Sequence, residues 1–271
     1  MDADTFTDKK VIELSKNFVV LKVNPEDKNH PENEEIRRKY GISGYPAIVF
    51  LSSKGDLISS NAGFRPPDQF SELMNKTLKE ENELKRLRAE IQKNPNDLKV
   101  NVDLAMIYIK RSNLERGQTL VDKIQELDPS NQFRVLPQVY TEMALAHVNK
   151  GNIVEGQALL DKVLALDLKD ESAYLSKLHV SFGLFYGQNA EKRGNEDYFQ
   201  KAEKHFNTII QKYPQSKLYE GAQLYLGITY AIQEKKQMAI SLLEKLSNHT
   251  KDAYIQEQAD YILETLKKQA E

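Results

Sequence analysis

The spacing of apolar positions changes character about a third of the way along the chain. Before that point the apolar residues come in short runs. Phe18-Val-Val-Leu-Lys-Val-Asn24 is rich in β-branched residues and is closed by Pro25, which predicts a strand. Glu34 to Tyr40 is charged and helix-prone. Ala47-Ile-Val-Phe-Leu51 is uninterrupted apolar sequence between Pro46 and Ser52-Ser-Lys-Gly55, the pattern of a strand buried on both faces. Lys54-Gly55-Asp56 then reads as a tight turn and Leu57 to Gly63 as the returning strand. Pro66-Pro67 opens a helix that carries Phe70, Leu73, Met74 and Leu78 at helical spacing.

From about residue 96 the pattern is helical throughout, and it repeats. A small residue is followed three later by an aromatic or histidine, then by a second small residue, a large apolar one, and often a proline. The first copy has Leu104-Ala105, Tyr108, Gly117, Val121 and Pro129. The second has Tyr140, Met143-Ala144, His147, Gly156 and Leu160, with Leu168 at the proline position. The third has Phe182-Gly183, Tyr186, Ala202, Phe206 and Pro214, with an insertion in Gly187 to Asp197 that reads as a longer polar loop. The fourth has Leu226-Gly227, Tyr230, Ala239 and Leu243. Small residues let two antiparallel helices approach, and the large apolar residues fill the seam between them.

This second pattern resembles the tetratricopeptide repeat, although the leading tryptophan is missing from every copy and the copies are spaced more widely than about 34 residues. The resemblance implies a stack of helix pairs over about 96–130, 135–169, 171–215 and 217–251, shielded by a closing helix over 252–270. Glu80 to Lys93, rich in Glu, Lys and Leu, predicts a connecting helix over 80–95, a half-repeat that bolts the two domains together and presents Leu84, Leu87 and Ile91 to the first repeat.

The first pattern resembles the back part of a thioredoxin fold of the disulfide-reductase type, over residues 1–79. The segments that carry the likeness are Tyr40-Gly-Ile-Ser-Gly-Tyr-Pro-Ala-Ile-Val-Phe50 and Gly63-Phe-Arg-Pro-Pro-Asp-Gln-Phe70. In that family the proline matched by Pro46 is cis and faces the active site, so Gly44, Tyr45 and Pro46 are the candidate peptide contacts. Thr5 to Asp8, with Val11 following, resembles the helix behind the family's Cys-x-x-Cys. That motif and the strand before it would lie upstream of Met1. Each backbone group left buried and unpaired by their absence costs roughly 1–3 kcal/mol. About six would outweigh the ~5–15 kcal/mol that stabilises a domain. The domain is therefore expected to be loose, or completed by an upstream segment, by a partner's strand, or by direct pairing of 18–24 with 47–51.

Composition narrows the function. The chain has 271 residues, 40% of them apolar, a net charge of −2 and no cysteine. Without a thiolate there is no disulfide exchange by this chain and no thiolate metal site. The charge offers no reason to expect nucleic acid as partner, and no apolar run approaches the ~18 residues of a membrane span. The polar start carries no signal peptide, which predicts a cytoplasmic chain, or an extracytoplasmic one if a signal lies upstream. His30, His147, His179, His205 and His249 show no metal-ligand spacing, and neither a phosphate loop nor a nucleophile elbow is present. No catalytic residue, cofactor or metal is expected. His147 is expected in a helix seam, with His205 beside the seam residue Phe206.

Helical phase puts Val102, Met106 and Ile109, then Thr141, Leu145 and Val148, then Leu224, Ile228 and Ile232 on the first helices of their pairs, where a concave surface would bind a ligand. This strip is apolar and suits a hydrophobic peptide or partner helix. A blander alternative is that the N-terminal domain or a second subunit covers it. The reading is α/β plus all-α: an incomplete thioredoxin-like fold followed by a tetratricopeptide-type solenoid, acting as a redox-silent interaction scaffold for a protein or peptide. The alternatives are a truncated thiol–disulfide oxidoreductase and a homo-oligomeric assembly subunit.

Overall fold

A computed structural model describes residues 1–167, 169–171, 173–193 and 195–268. Leu168, at the expected proline position, and 269–271, at the end of the closing helix, lie outside the described residues. The chain divides into two compact units, Met1–Ile107 and Tyr108–Glu271.

The first unit begins with α1 (Lys9–Ser15), whose N-terminus is capped by Asp8 accepting from the backbone of Lys10 and Val11. A second helix, α2 (Glu32–Lys39), has acidic residues in its first turn and basic ones in its last, in line with the helix dipole. Strands β1 (Ala47–Leu51) and β2 (Leu57–Ala62) pair antiparallel, from Ala47 opposite Ala62 to Leu51 opposite Leu57, with an irregularity between Phe50 and Leu51. Helix α3 (Pro67–Lys93) starts on a proline and packs against α1. Its second half covers most of the connecting helix expected over 80–95. Leu84 and Leu87 are buried in its second half. In the turn to α4 (Leu98–Lys110), the Asn101 amide donates to the carbonyls of Pro95 and Asp97.

Two strand expectations need correction. Phe18 to Asn24 is not a strand. Val19, Val20 and Leu21 are 101%, 73% and 76% exposed. Strand preference is realised only when a neighbour takes the backbone hydrogen bonds, and β1 pairs with β2 alone among the described residues. For the same reason β1 is not buried on both faces: Phe50 is buried, and the rest of the strand is partly or fully exposed. The core around it is small: Val11, Phe50, Ile58, Phe70 and Met74 are buried. Backbone hydrogen exchange is therefore expected to be faster across residues 1–65 than across 96–247, and equal protection would count against an open sheet.

The second unit contains α5 (Leu114–Leu127), α6 (Leu136–Asn149), α7 (Ile153–Leu166), α8 (Tyr174–Arg193), α9 (Glu196–Lys212), α10 (Tyr219–Ile232), α11 (Lys236–His249) and α12 (Ala253–Lys268). Each helix packs on the next, and α6, α8, α10 and α12 also pack in one row. Short turns between long, mutually packed helices require antiparallel neighbours. The turns themselves recur. Ser112 and Gly151 both have positive φ, of 57° and 78°, ahead of Asn113 and Asn152 at the starts of α5 and α7. Asn131 and Asp170, also at positive φ, accept the backbone N–H of Leu136 and Leu175. The same local geometry thus recurs one helix pair further along the chain.

The insertion in the third copy, expected as a loop over Gly187 to Asp197, is helical from Gly187 to Arg193, and Gly194 lies outside the described residues. It lengthens α8 and α9 to 20 and 17 residues, against 14 for α6 and α7. About 3.6 residues make a turn, so a few extra residues extend two paired helices without breaking their seam. Ala190, inside the insertion, is buried.

Asp128 shows how the turns are held. Its buried carboxylate accepts the backbone N–H of Gln132 at 2.7 Å and of Phe133 at 3.0 Å. Asp128→Ala leaves both donors unpaired and is expected to cost about 1–3 kcal/mol, read from the urea midpoint. Asp128→Asn, which keeps an acceptor, should recover part of it.

Candidate functional site

The cis-proline loop is shaped from both sides. Arg37 on α2 donates to both oxygens of Glu34, at 2.6 and 2.7 Å, and to the carbonyl of Ile42 at 3.0 Å. Hydrogen bonds from Arg37 and then Arg38 hold the Glu34 carboxyl down at about 2, so this clamp stays charged across the physiological range. The Tyr40 hydroxyl donates to the carbonyl of Gly55 at 3.0 Å and ties the β1–β2 turn to the end of α2. Gly41, at φ 63°, lets the chain leave the helix toward the loop.

The Tyr45–Pro46 peptide bond is cis, as expected. The Gly63 N–H donates to the Pro46 carbonyl at 2.8 Å, one step beyond the β1–β2 ladder. Tyr45 and Phe64 flank this bridge and are 57% and 55% exposed. Thr5, fully buried, donates its hydroxyl to the Arg65 carbonyl at 2.6 Å and so fixes the loop after β2. Behind the loop the rings run from surface to core: the exposed Phe6 meets Phe70 edge-on, and Phe50 lies between Phe70 and the partly buried Phe18. The result is an exposed aromatic rim on a pinned loop. It holds no thiol, so it cannot exchange a disulfide by itself.

The apolar strip expected on the helices separates into two kinds of position. Ile109, Thr141, Val148 and Leu224 are buried. Ile109 and Val148 end their helices against the glycines of the next: a Cβ on Gly117 would lie 3.0 Å from the Ile109 side chain, and one on Gly156 3.1 Å from Val148. They fill seams between helices. Thr141 donates its hydroxyl to the Pro137 carbonyl within its own helix. Val102 and Met106 on α4, Leu145 on α6 and Ile228 on α10 are partly exposed, and Ile232 is 41% exposed.

A histidine pair escaped the spacing argument. His179 on α8 and His205 on α9 meet Nδ1 to Nδ1 at 2.9 Å. His205 stacks on Phe182 and on Tyr186, and His179 tilts against Tyr213. One ring donates an N–H to the lone pair of the other, so at most one Nδ1 of the pair carries the proton. Burial lowers His179 from 6.5 to about 4 and His205 to about 3. The signal was present in the repeat: His179 occupies the position that Tyr140 holds one copy earlier. His147 sits partly buried in its seam, and burial lowers it too. Among the described residues no cluster of three or more His, Asp or Glu could hold a metal, and no helix is long and apolar enough to cross a membrane.

Residues 1–78 match the family model of a thioredoxin-like domain. Over 76 residues the chain is 33% identical to the thiol:disulfide interchange protein DsbD of Haemophilus influenzae (strain PittGG), a match that covers 27% of this chain. The chain spans only 13% of that protein's length. The cis-proline loop, the β1–β2 hairpin and the first half of α3 all fall within the matched residues: this is a thioredoxin-like domain followed by a long helical region.

Proposed function

We propose that this chain is a protein-binding polypeptide in which a redox-silent thioredoxin-like domain is joined to a tetratricopeptide-type helical scaffold. The observation that carries the reading is the exposed Tyr45–Phe64 rim around the cis-proline, in a chain with no cysteine. A site of that shape engages an extended apolar segment and cannot go on to attack a disulfide. The helical region adds Leu145, Ile228 and Ile232 as exposed or partly exposed apolar contacts, which suit a partner helix or peptide. The recurring turns and the single row of even-numbered helices support the tetratricopeptide-type stack.

The test uses S-alkylated insulin B chain as an apolar probe, titrated by calorimetry, alongside a turbidity assay for insulin reduction. Binding without reduction is expected. Tyr45→Ala should weaken binding about tenfold, the effect of losing an exposed aromatic anchor. Unchanged binding by that variant, or any insulin reduction, overturns the reading. The likeness to a thiol:disulfide interchange protein favours a second reading, in which the natural gene product carries a Cys-x-x-Cys upstream of Met1 and works as an extracytoplasmic oxidoreductase. Translating the reading frame upstream of Met1 separates the two.

A further inference from the structure

Two imidazoles converge inside the α8–α9 seam from residues that lie 26 apart in sequence, with Nδ1 to Nδ1 at 2.9 Å. His205 is buried and stacks on Phe182 and Tyr186, so its ring is fixed by aromatic neighbours. His179 tilts against Tyr213 and is only partly buried, which gives the pair access to solvent. Neutral imidazole is the form that binds a metal, and burial keeps both rings neutral at pH 7. The separation of the two nitrogens selects the ion. A metal bonds an imidazole nitrogen at about 2.0–2.1 Å, so nitrogens this far apart subtend about 90° at the metal. That is the angle between neighbouring ligands in a square or octahedral set. A tetrahedral zinc ion would need them about 3.3 Å apart.

We propose that His179 and His205 form a two-histidine clip for a divalent transition metal of square or octahedral preference, nickel(II) or copper(II), with solvent in the remaining positions. On binding, the ring that donates its Nδ1 proton moves that proton to its own Nε2. Both Nδ1 lone pairs then face the ion, and no net proton is released near neutral pH. Lys204 and Lys212 are the charged side chains that act on the pair. They repel a dication, and among the described residues no third histidine or carboxylate completes a ligand set. The clip is therefore open and weaker than a closed cage of four ligands. It lies apart from the Tyr45 rim and does not rest on peptide binding there.

Nickel(II) chloride titrated by calorimetry into the untagged full chain at pH 7 should show one saturable site, with zinc(II) binding more weakly. His179→Phe and His205→Phe keep an aromatic ring in the seam. Each should weaken nickel binding at least about tenfold, since losing even an outer partner of a ligand costs about 10–100-fold. His147→Gln, in another seam, should leave it unchanged. Nickel should also raise the urea midpoint of the native chain but of neither phenylalanine variant, because a clip assembled by folding binds the folded state alone. Circular dichroism reports whether each variant folds. Should one not fold, the other variant decides, together with nickel broadening of the His179 and His205 ring-proton signals in the native chain. Absence of a saturable nickel site overturns the proposal. So does nickel binding kept by both variants, which would mean an adventitious ion elsewhere, or zinc binding more tightly than nickel.

Discussion

Phe206→Ala is expected to remove about 3–5 kcal/mol of stability from the helical region, the usual cost of deleting a buried aromatic ring. Phe206 is almost fully buried on α9, and its ring fills the space where Gly183 of α8 has no side chain. A Cβ on Gly183 would sit 2.6 Å from two of its ring carbons. Gly183→Ala should therefore destabilise too, because overpacking costs about 1–3 kcal/mol and outweighs the ~1 kcal/mol that alanine gains in a helix. The two changes are coupled, and the sign of the coupling is specific. With the ring gone, Gly183→Ala no longer clashes and should stabilise by about 1 kcal/mol. Gly221 on α10 provides the control, since nothing lies within 4 Å of its missing Cβ. Gly221→Ala should raise stability by about 0.5–1 kcal/mol. Urea unfolding of the four chains in the Gly183–Phe206 cycle measures this, followed by circular dichroism. Equal Gly183→Ala effects with and without the ring would mean that the seam is not packed as described.

That pairing of a small residue with a ring is also why the helical region was legible in the sequence. Small residues recur where helices cross because close approach leaves no room for a side chain, as at Gly156 against Val148 and Gly227 against Leu243. The β1–β2 hairpin was legible through its turn, and the cis-proline loop through Gly44-Tyr45-Pro46. The misreadings share one cause: local sequence carries no record of distant partners. Val19 to Val23 has the composition of a strand, but a strand exists only in a ladder, and no described residue supplies one. The insertion after Tyr186 is polar and reads as a loop, but Ala190 and Phe199 bury their side chains and keep the chain helical. Ile109 and Val148 share the helical phase of exposed positions. They are covered because each stands at the last turn of its helix, opposite the glycine of the next.

The same packing gives the helical region a pH dependence. Stability should fall by about 2–4 kcal/mol between pH 7 and pH 5, as the unfolded chain takes up protons that the folded chain refuses. His179 and His205 have folded values of about 4 and about 3, against 6.5 for a free histidine. Burial is the main cause for both. Lys212 and Lys204 add to it at His179, and His179 and Lys204 add to it at His205. Because both values are depressed, the folded state binds fewer protons than the unfolded state across this window. The stabilisation is complete above 6.5 and is lost as the pH falls toward the folded values. Each histidine that must stay neutral while its unfolded counterpart is charged contributes a slope of about 1.4 kcal/mol per pH unit. Geometry sets the same direction: protonating both rings would point two N–H donors at each other across 2.9 Å, inside a shell of Phe182, Tyr186 and Tyr213. His205→Phe should retain the stacking on Phe182 and remove about half of the slope, whatever its effect at pH 7. His147, whose value burial also lowers, contributes with the same sign, so His147→Gln in parallel isolates the pair. Urea midpoints at pH 7, 6 and 5 measure the slope for each chain. A wild-type midpoint that does not move over that range would show that the two rings are solvated, and α8 and α9 would then not meet along the seam that these residues define.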